Sequence, residues 1–160
     1  MKKLVTALVL SLSALSLAAE VELKPAQEEA KDKFEAEIAD SVKAMNEKCG
    51  TKVTVKADFQ NYKDADWSGT SVSSYCSSIP NTLASMCESR PAYKKAISKK
   101  LTGVSCLFTG VKPAQKDDGS NGATLRNMSF EKGVFTYTMS PTGHANLDDN
   151  AKTTMEKALN

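Results

Sequence analysis

The clearest pattern in the chain is a helical repeat of apolar residues over positions 26–48. Apolar side chains recur there at spacings of three and four, and Glu and Lys occupy most positions between them. Pro25 suits the first helical position, and Gly50 suits the left-handed residue just past the end. The pattern therefore predicts a long amphipathic helix. Its apolar positions are Ala30, Phe34, Ile38, Val42, Met45 and Cys49.

A change of period follows this helix. Apolar and polar residues alternate over 53–59, which predicts a strand with one buried face. Residues 60–70 are polar and are expected to form a loop, with Trp67 as the one large apolar group. Helical spacing returns from Val72 to Cys87, where Pro80 predicts a kink or a fresh helix start. A further helix is expected over 91–101.

The second half of the chain predicts mainly strands. Residues 104–111 carry apolar groups on both faces, which is typical of a central strand. Residues 124–130 and 134–139 form a predicted hairpin whose connection contains Gly133, and a last helix is expected over 148–159. The order of elements predicts one small α+β domain: a mostly antiparallel sheet of about four strands, with helices on one face.

The first eighteen residues predict export. Lys2 and Lys3 precede an apolar run over 4–15, and Ser16-Leu17-Ala18 has the small-x-small pattern of a cleavage site. The run is too short to span a bilayer. We therefore expect 1–18 to be a cleaved secretory signal of bacterial type and 19–160 to be the single α+β domain. The mature protein is expected to be periplasmic or secreted, with no transmembrane span.

Charge is balanced overall but unevenly placed. Without Lys2 and Lys3, the 21 basic residues become 19, equal to the 19 acidic residues. A neutral chain is unlike a nucleic-acid-binding protein, so no nucleic acid is expected as a partner. Residues 20–48 have a net charge of −4, whereas residues 88–116 have a net charge of +6. These segments are either solvated faces or, for the basic one, a contact with an anionic partner or lipid surface.

Four cysteines in an exported chain predict two disulfides. Cys76 and Cys87 would be about 16 Å apart on one helix, beyond the reach of a disulfide. The expected path of the chain brings Cys87 near Cys49 and brings Cys106 near Cys76. The sequence therefore favours Cys49–Cys87 and Cys76–Cys106. Redox catalysis and a zinc site are disfavoured, because no two cysteines are closer than eleven residues.

Few residues stand out as candidates for chemistry. Trp67, beside Asp66, could anchor a partner or could fold back to cap the core. Lys94 and Lys95 are candidate contacts for an anionic partner. His144 is the only histidine; it is typical of a surface residue, or it could serve a hydrolase together with nearby carboxylates such as Asp148. No catalytic motif, metal site or cofactor site is predicted.

The sequence therefore favours a non-catalytic binding or interaction domain over an enzyme. Its partner is an unidentified protein or cell-envelope component, and we expect a monomer. Two alternatives stay open. One is a carboxylate- and His-dependent hydrolase around His144, and the other is an envelope structural protein that self-associates through its acidic helix and its basic segment.

Overall fold

A computed structural model describes residues 22–67, 71–108, 127–141 and 146–160. Within these ranges the predicted elements are present with shifted ends, and the predicted residues 109–111 and 124–126 of two strands lie outside them. In chain order the elements are α1 (Pro25–Cys49), β1 (Val55–Ala57), a 3₁₀ turn (Phe59–Asn61), α2 (Asp64–Trp67), α3 (Val72–Ser89), α4 (Pro91–Lys100), β2 (Gly103–Phe108), β3 (Met128–Glu131), β4 (Val134–Met139) and α5 (Leu147–Leu159).

The sheet is mixed, and the prediction of a mostly antiparallel sheet is wrong. The strand order is β1-β2-β4-β3, with β1, β2 and β4 parallel and only β3 antiparallel to its neighbour β4. The physical reason is the connection between β1 and β2. Two helices return the chain to the end at which β1 began, so β2 runs in the same direction as β1. The α+β class and the four strands are as predicted.

The helices cover one face of this sheet. Burial alternates along β2 and β4: Val104, Cys106 and Phe108 are buried, as are Phe135, Tyr137 and Met139, while the residues between them are partly exposed. In the antiparallel pair, Phe130 lies opposite Phe135 and Met128 lies opposite Tyr137, so these four side chains share one face of the hairpin. As predicted, β2 is a central strand.

Helix α3 is continuous through Pro80. The sequence allowed a fresh helix start there, but one helix runs over Val72–Ser89 with Pro80 inside it. Pro80 removes a backbone donor from the helix. Cys76, Ile79 and Leu83 are fully buried on either side of it, and this tertiary burial outweighs the local penalty.

The two disulfides have the predicted pairing. Cys49 is bonded to Cys87 with a Cα–Cα distance of 5.2 Å, and Cys76 is bonded to Cys106 with a Cα–Cα distance of 6.1 Å. The first joins the end of α1 to α3, and the second joins α3 to the central strand β2. Together they connect the long helix, the central helix and the sheet covalently.

Asn46 organises the passage from α1 to β1. Its Oδ1 accepts hydrogen bonds from the Val53 backbone N–H at 2.8 Å and from the Thr51 hydroxyl at 2.7 Å, while its Nδ2 donates to the Val53 carbonyl at 2.9 Å. Gly50, with φ of 69°, ends the helix in the left-handed conformation that its position predicts. One side chain therefore bonds both backbone groups of the residue two positions before β1.

We expect Asn46→Ala to lower the free energy of unfolding by about 2 kcal/mol, because three partly buried hydrogen bonds are lost at once. Urea unfolding followed by the fluorescence of Trp67 measures the change. Glu47→Ala, at the neighbouring exposed position, is the matched control and should stay within about 0.5 kcal/mol of the native protein. Equal losses in both variants would contradict a special role for Asn46.

Candidate functional site

Trp67 lies inside the protein, so it is not a surface anchor. Its side chain is 3% exposed, and its ring packs edge-on against Phe108 at 5.4 Å and against Tyr75 at 6.3 Å between ring centroids. Of the two predicted roles, the structure has the one in which the Trp caps the core. The physical reason is the short helix α2, which turns the indole onto the aromatic side chain at the end of β2. Asp66 is partly exposed beside it.

Helix α4 presents a row of cations at the surface. Lys94, Lys95 and Lys99 are exposed, and the helix contains no acidic residue. Arg90 precedes the helix and is also exposed. We call these four side chains the α4 cationic face. Neither ion pair found among the described residues involves Arg90 or a lysine of α4.

The members of this face differ in their surroundings. Gly50, at the end of α1, lies beside Lys94: a Cβ atom at Gly50 would be 4.0 Å from the Lys94 Cε. A cation near a helix C-terminus is favoured by the helix dipole, so Lys94 has a structural use as well. Lys95 and Lys99 are one helical turn apart and have no such neighbour among the described contacts. Lys95 and Lys99 are therefore the residues of the α4 cationic face with the least structural use.

An anchored tyrosine holds α4 against the C-terminal helix. The Tyr93 hydroxyl donates to the Glu156 carboxylate at 2.5 Å, and the Arg90 guanidinium lies 5.5 Å from the centroid of the Tyr93 ring. The hydrogen bond to Glu156 raises the pKa of Tyr93, and desolvation adds to the rise. Tyr93 therefore stays protonated as a donor at neutral pH. This contact fixes α4, the helix that carries the α4 cationic face.

A cleft of about 300 Å³ lies between α3 and α5. Asp148 and Asp149 are in the first turn of α5, where the helix dipole favours acidic residues, and Asp148 accepts a hydrogen bond from the Thr82 hydroxyl at 3.2 Å. His144, on which the predicted hydrolase depends, lies outside the described residues. That alternative stays a prediction. In the described ranges, no three His, Cys, Asp or Glu residues are grouped so that they could hold a metal ion.

Sequence reasoning missed a groove at the edge of the sheet. Strand β3 is the last strand of the order, and a groove of about 370 Å³ separates it from α5. The lining residues are Met128, Ser129, Phe130 and Glu131 from the strand and Thr153, Thr154, Lys157 and Ala158 from the helix. Finding it required the strand order, and the sequence carried no signal for which strand would lie outermost.

Comparison of the chain with family models, with curated proteins and with solved structures finds no match. In the described part of the chain, no helix combines the length and the apolar character needed to cross a bilayer.

Proposed function

We propose that this protein is a non-catalytic extracytoplasmic binding domain that contacts an anionic partner through the α4 cationic face. The observation that carries the proposal is the exposure of Lys94, Lys95 and Lys99 on a helix without acidic residues. Such a charge cluster repels itself, so it costs stability unless something else neutralises it. An anionic protein or cell-envelope surface would supply that neutralisation.

The remaining structure supports a binding role outside the cytoplasm. Two buried disulfides are typical of proteins that fold in an oxidising compartment, and they agree with the secretory signal that the first eighteen residues predict. They also make a rigid support, since Cys87 lies three residues before Arg90 and so fixes the start of α4. A rigid surface loses less entropy when it binds than a mobile one.

The test measures binding of the oxidised protein to two anionic probes. These are vesicles of phosphatidylcholine with and without phosphatidylglycerol, and poly-glutamate. We expect binding to at least one anionic probe, no binding to neutral vesicles, and weakening as salt shortens the range of electrostatic attraction. A lysine near an anionic surface contributes about 1 kcal/mol, so replacing Lys94, Lys95 and Lys99 together by Gln should weaken binding roughly 100-fold.

The matched control removes the same charge elsewhere. Lys33, Lys43 and Lys63 are exposed and lie outside α4, and their replacement by Gln should change binding less than threefold. Equal weakening in both triple variants would show that only net charge matters. Failure of the native protein to bind either anionic probe would overturn the proposal. Light scattering of the same samples at low and high salt tests the self-association alternative, in which the protein is oligomeric at low salt.

A further inference from the structure

The outer edge of β3 carries backbone groups that point away from the sheet. Asn127 accepts a hydrogen bond from the Thr138 N–H at 2.8 Å, so its backbone faces β4. Backbone direction alternates along a strand, so Ser129 and Glu131 also face β4, while Met128 and Phe130 face outward. Within the described ranges no strand lies beyond β3. Two residues therefore present N–H and C=O groups to whatever approaches this edge.

The groove beside this edge combines apolar and polar walls. On the strand side, the Met128 and Phe130 side chains lie on the helix-covered face, and Phe130 is only partly buried. On the helix side, two pairs of residues line the groove, and the members of each pair are one helical turn apart. The pairs are Thr153 with Lys157 and Thr154 with Ala158. An extended segment added to β3 would place alternate side chains between these walls.

One end of the groove is basic. The Lys100 Nζ donates to the Ala158 carbonyl at 2.9 Å, and the Lys100 carbonyl lies beside Gly133, where an added Cβ atom would be 2.8 Å from it. The ends of β3 and α5 therefore meet near the hairpin turn. Lys132 and Lys157 are both exposed at this end. Glu131 is the nearby acid and also lines the groove, although strand alternation directs its side chain to the opposite face of the sheet from Phe130.

From this geometry we infer that the β3 edge and α5 together bind an extended acidic peptide segment of another protein. The peptide adds as a fifth strand beside β3, with its backbone bonded to Met128 and Phe130. An apolar side chain enters the groove beside Phe130, and an acidic side chain at the turn end pairs with Lys157. This site is separate from the α4 cationic face and does not depend on it.

A second copy of the chain fits this edge less well than an acidic peptide. The pairing of two β3 strands that uses the outward groups of both Met128 and Phe130 is antiparallel about Ser129, and it sets Glu131 of one copy opposite Asn127 of the other. The acid of the second copy would then lie at the end of the groove remote from Lys132 and Lys157. A foreign strand is free to carry its acid at the basic end.

The first experiment uses two capped peptides of alternating Val and Thr, one with Glu at both ends and one with Lys at both ends. Titration followed by NMR should show tighter binding of the Glu peptide by at least tenfold. Lys157→Glu should reverse this preference. The reversed preference is the decisive readout, because a merely structural role of Lys157 would lower the affinities for the Glu peptide and the Lys peptide alike.

A pair of variants tests the backbone contact. Phe130→Ala and Phe130→Pro both lose the ring, but only Pro loses the outward N–H, which makes no bond to β4. We expect the Pro variant to bind at least tenfold more weakly than the Ala variant. In the native protein, the Met128 and Phe130 amides should exchange with solvent quickly and become protected when the Glu peptide is added.

Three results would overturn the inference. The first is protection of both amides before any peptide is added, since the edge would then be covered already. The second is equal binding of the Glu and Lys peptides. The third is a concentration-dependent dimer that loses its association in Phe130→Pro, which would assign the edge to a second copy. Should Phe130→Pro fail to fold, the charge exchange at Lys157 decides alone.

Discussion

Replacing Cys76 and Cys106 together by Ala is expected to lower the free energy of unfolding by about 4 kcal/mol. The bond spans a sequence separation of 30, and the chain-entropy model gives about 3.7 kcal/mol for closing a loop of that size. Both cysteines are fully buried, so the lost sulfur atoms add a cavity cost to the entropic one. This is a large share of the total stability of a small domain.

The position of this bond makes the effect structural as well as energetic. Cys76 is on α3 and Cys106 is the partner of Tyr137 in the pairing of β2 with β4, so the bond ties the helix layer to the middle of the sheet. Without it, α3 loses its covalent link to β2, and the apolar packing between the two layers remains. We expect near-UV circular dichroism of the double variant to weaken before far-UV circular dichroism does, because packing is lost before helix content.

Urea unfolding followed by Trp67 fluorescence measures the loss. The matched control is the double variant Cys49→Ala and Cys87→Ala, which opens a loop with a separation of 38 and should cost a similar amount through entropy. That bond joins two helices, so its removal should leave the sheet contacts intact. Loss of less than about 1 kcal/mol on removing Cys76–Cys106 would contradict a stabilising role for the bond.

Local pattern predicted the elements of this protein better than it predicted their arrangement. The predicted helix over 26–48 is observed at Pro25–Cys49, and the predicted strand over 134–139 is observed at Val134–Met139. Both segments have a strong apolar period, because each of them buries one face and needs apolar residues there. The strand predicted over 53–59 shortens to Val55–Ala57, because a 3₁₀ turn at Phe59–Asn61 turns the chain out of the sheet.

The alternation of apolar and polar residues did not predict strand direction, because direction is set by the segments that connect the strands. The same alternation describes a parallel and an antiparallel strand when one face of the sheet is exposed. For the disulfides, a rise of 1.5 Å per residue excluded only the pair Cys76–Cys87, and the expected path of the chain selected Cys49–Cys87 and Cys76–Cys106. The same reasoning could not order β3 outside β4. The edge groove was therefore not predictable, whereas Lys94 and Lys95 could be named from the sequence as candidate contacts for an anionic partner.

Trp67 shows why a single residue is weak evidence for a binding site. Its polar neighbours Asp64 and Asp66 suggested a surface loop, but those residues form α2, which directs the indole inward. The ring joins an aromatic cluster that includes Phe59 and Phe108, with 5.2 Å between those two ring centroids. Burial of so large a ring is worth more than its exposure as an anchor. A lone exposed lysine would be equally weak, so the proposal for α4 depends on a cluster.

Gly133→Ala is expected to cost about 2–4 kcal/mol, because the position combines an unfavourable dihedral with a close approach. Lys132 and Gly133 form the two-residue turn between β3 and β4, and both have positive φ, at 50° and 87°. A Cβ atom at Gly133 would lie 2.6 Å from the Thr102 Oγ1 and 2.8 Å from the Lys100 carbonyl oxygen. The carbonyl belongs to the backbone and cannot move aside as a side chain would.

The expected consequence is that the hairpin moves away from the segment between α4 and β2. The Gly133 carbonyl accepts a hydrogen bond from the Thr102 N–H at 2.7 Å, and this bond should break as the turn shifts. Denaturant unfolding of Gly133→Ala measures the cost. Gly103→Ala is the matched control, since its Cβ atom would be in ordinary contact with Val134 at 3.8 Å, and its stability should stay within about 1 kcal/mol of the native protein.

A third variant separates the two causes. Asn tolerates positive φ better than Ala but carries the same Cβ atom, so Gly133→Asn keeps the contact with Lys100 while easing the dihedral strain. If Gly133→Asn loses as much free energy of unfolding as Gly133→Ala, the cost comes from the close approach. If Gly133→Asn is more stable than Gly133→Ala by about 1 kcal/mol or more, that difference comes from the dihedral strain. If Gly133→Ala instead unfolds at the same denaturant concentration as the native protein, the turn does not dock on the segment after α4 as described.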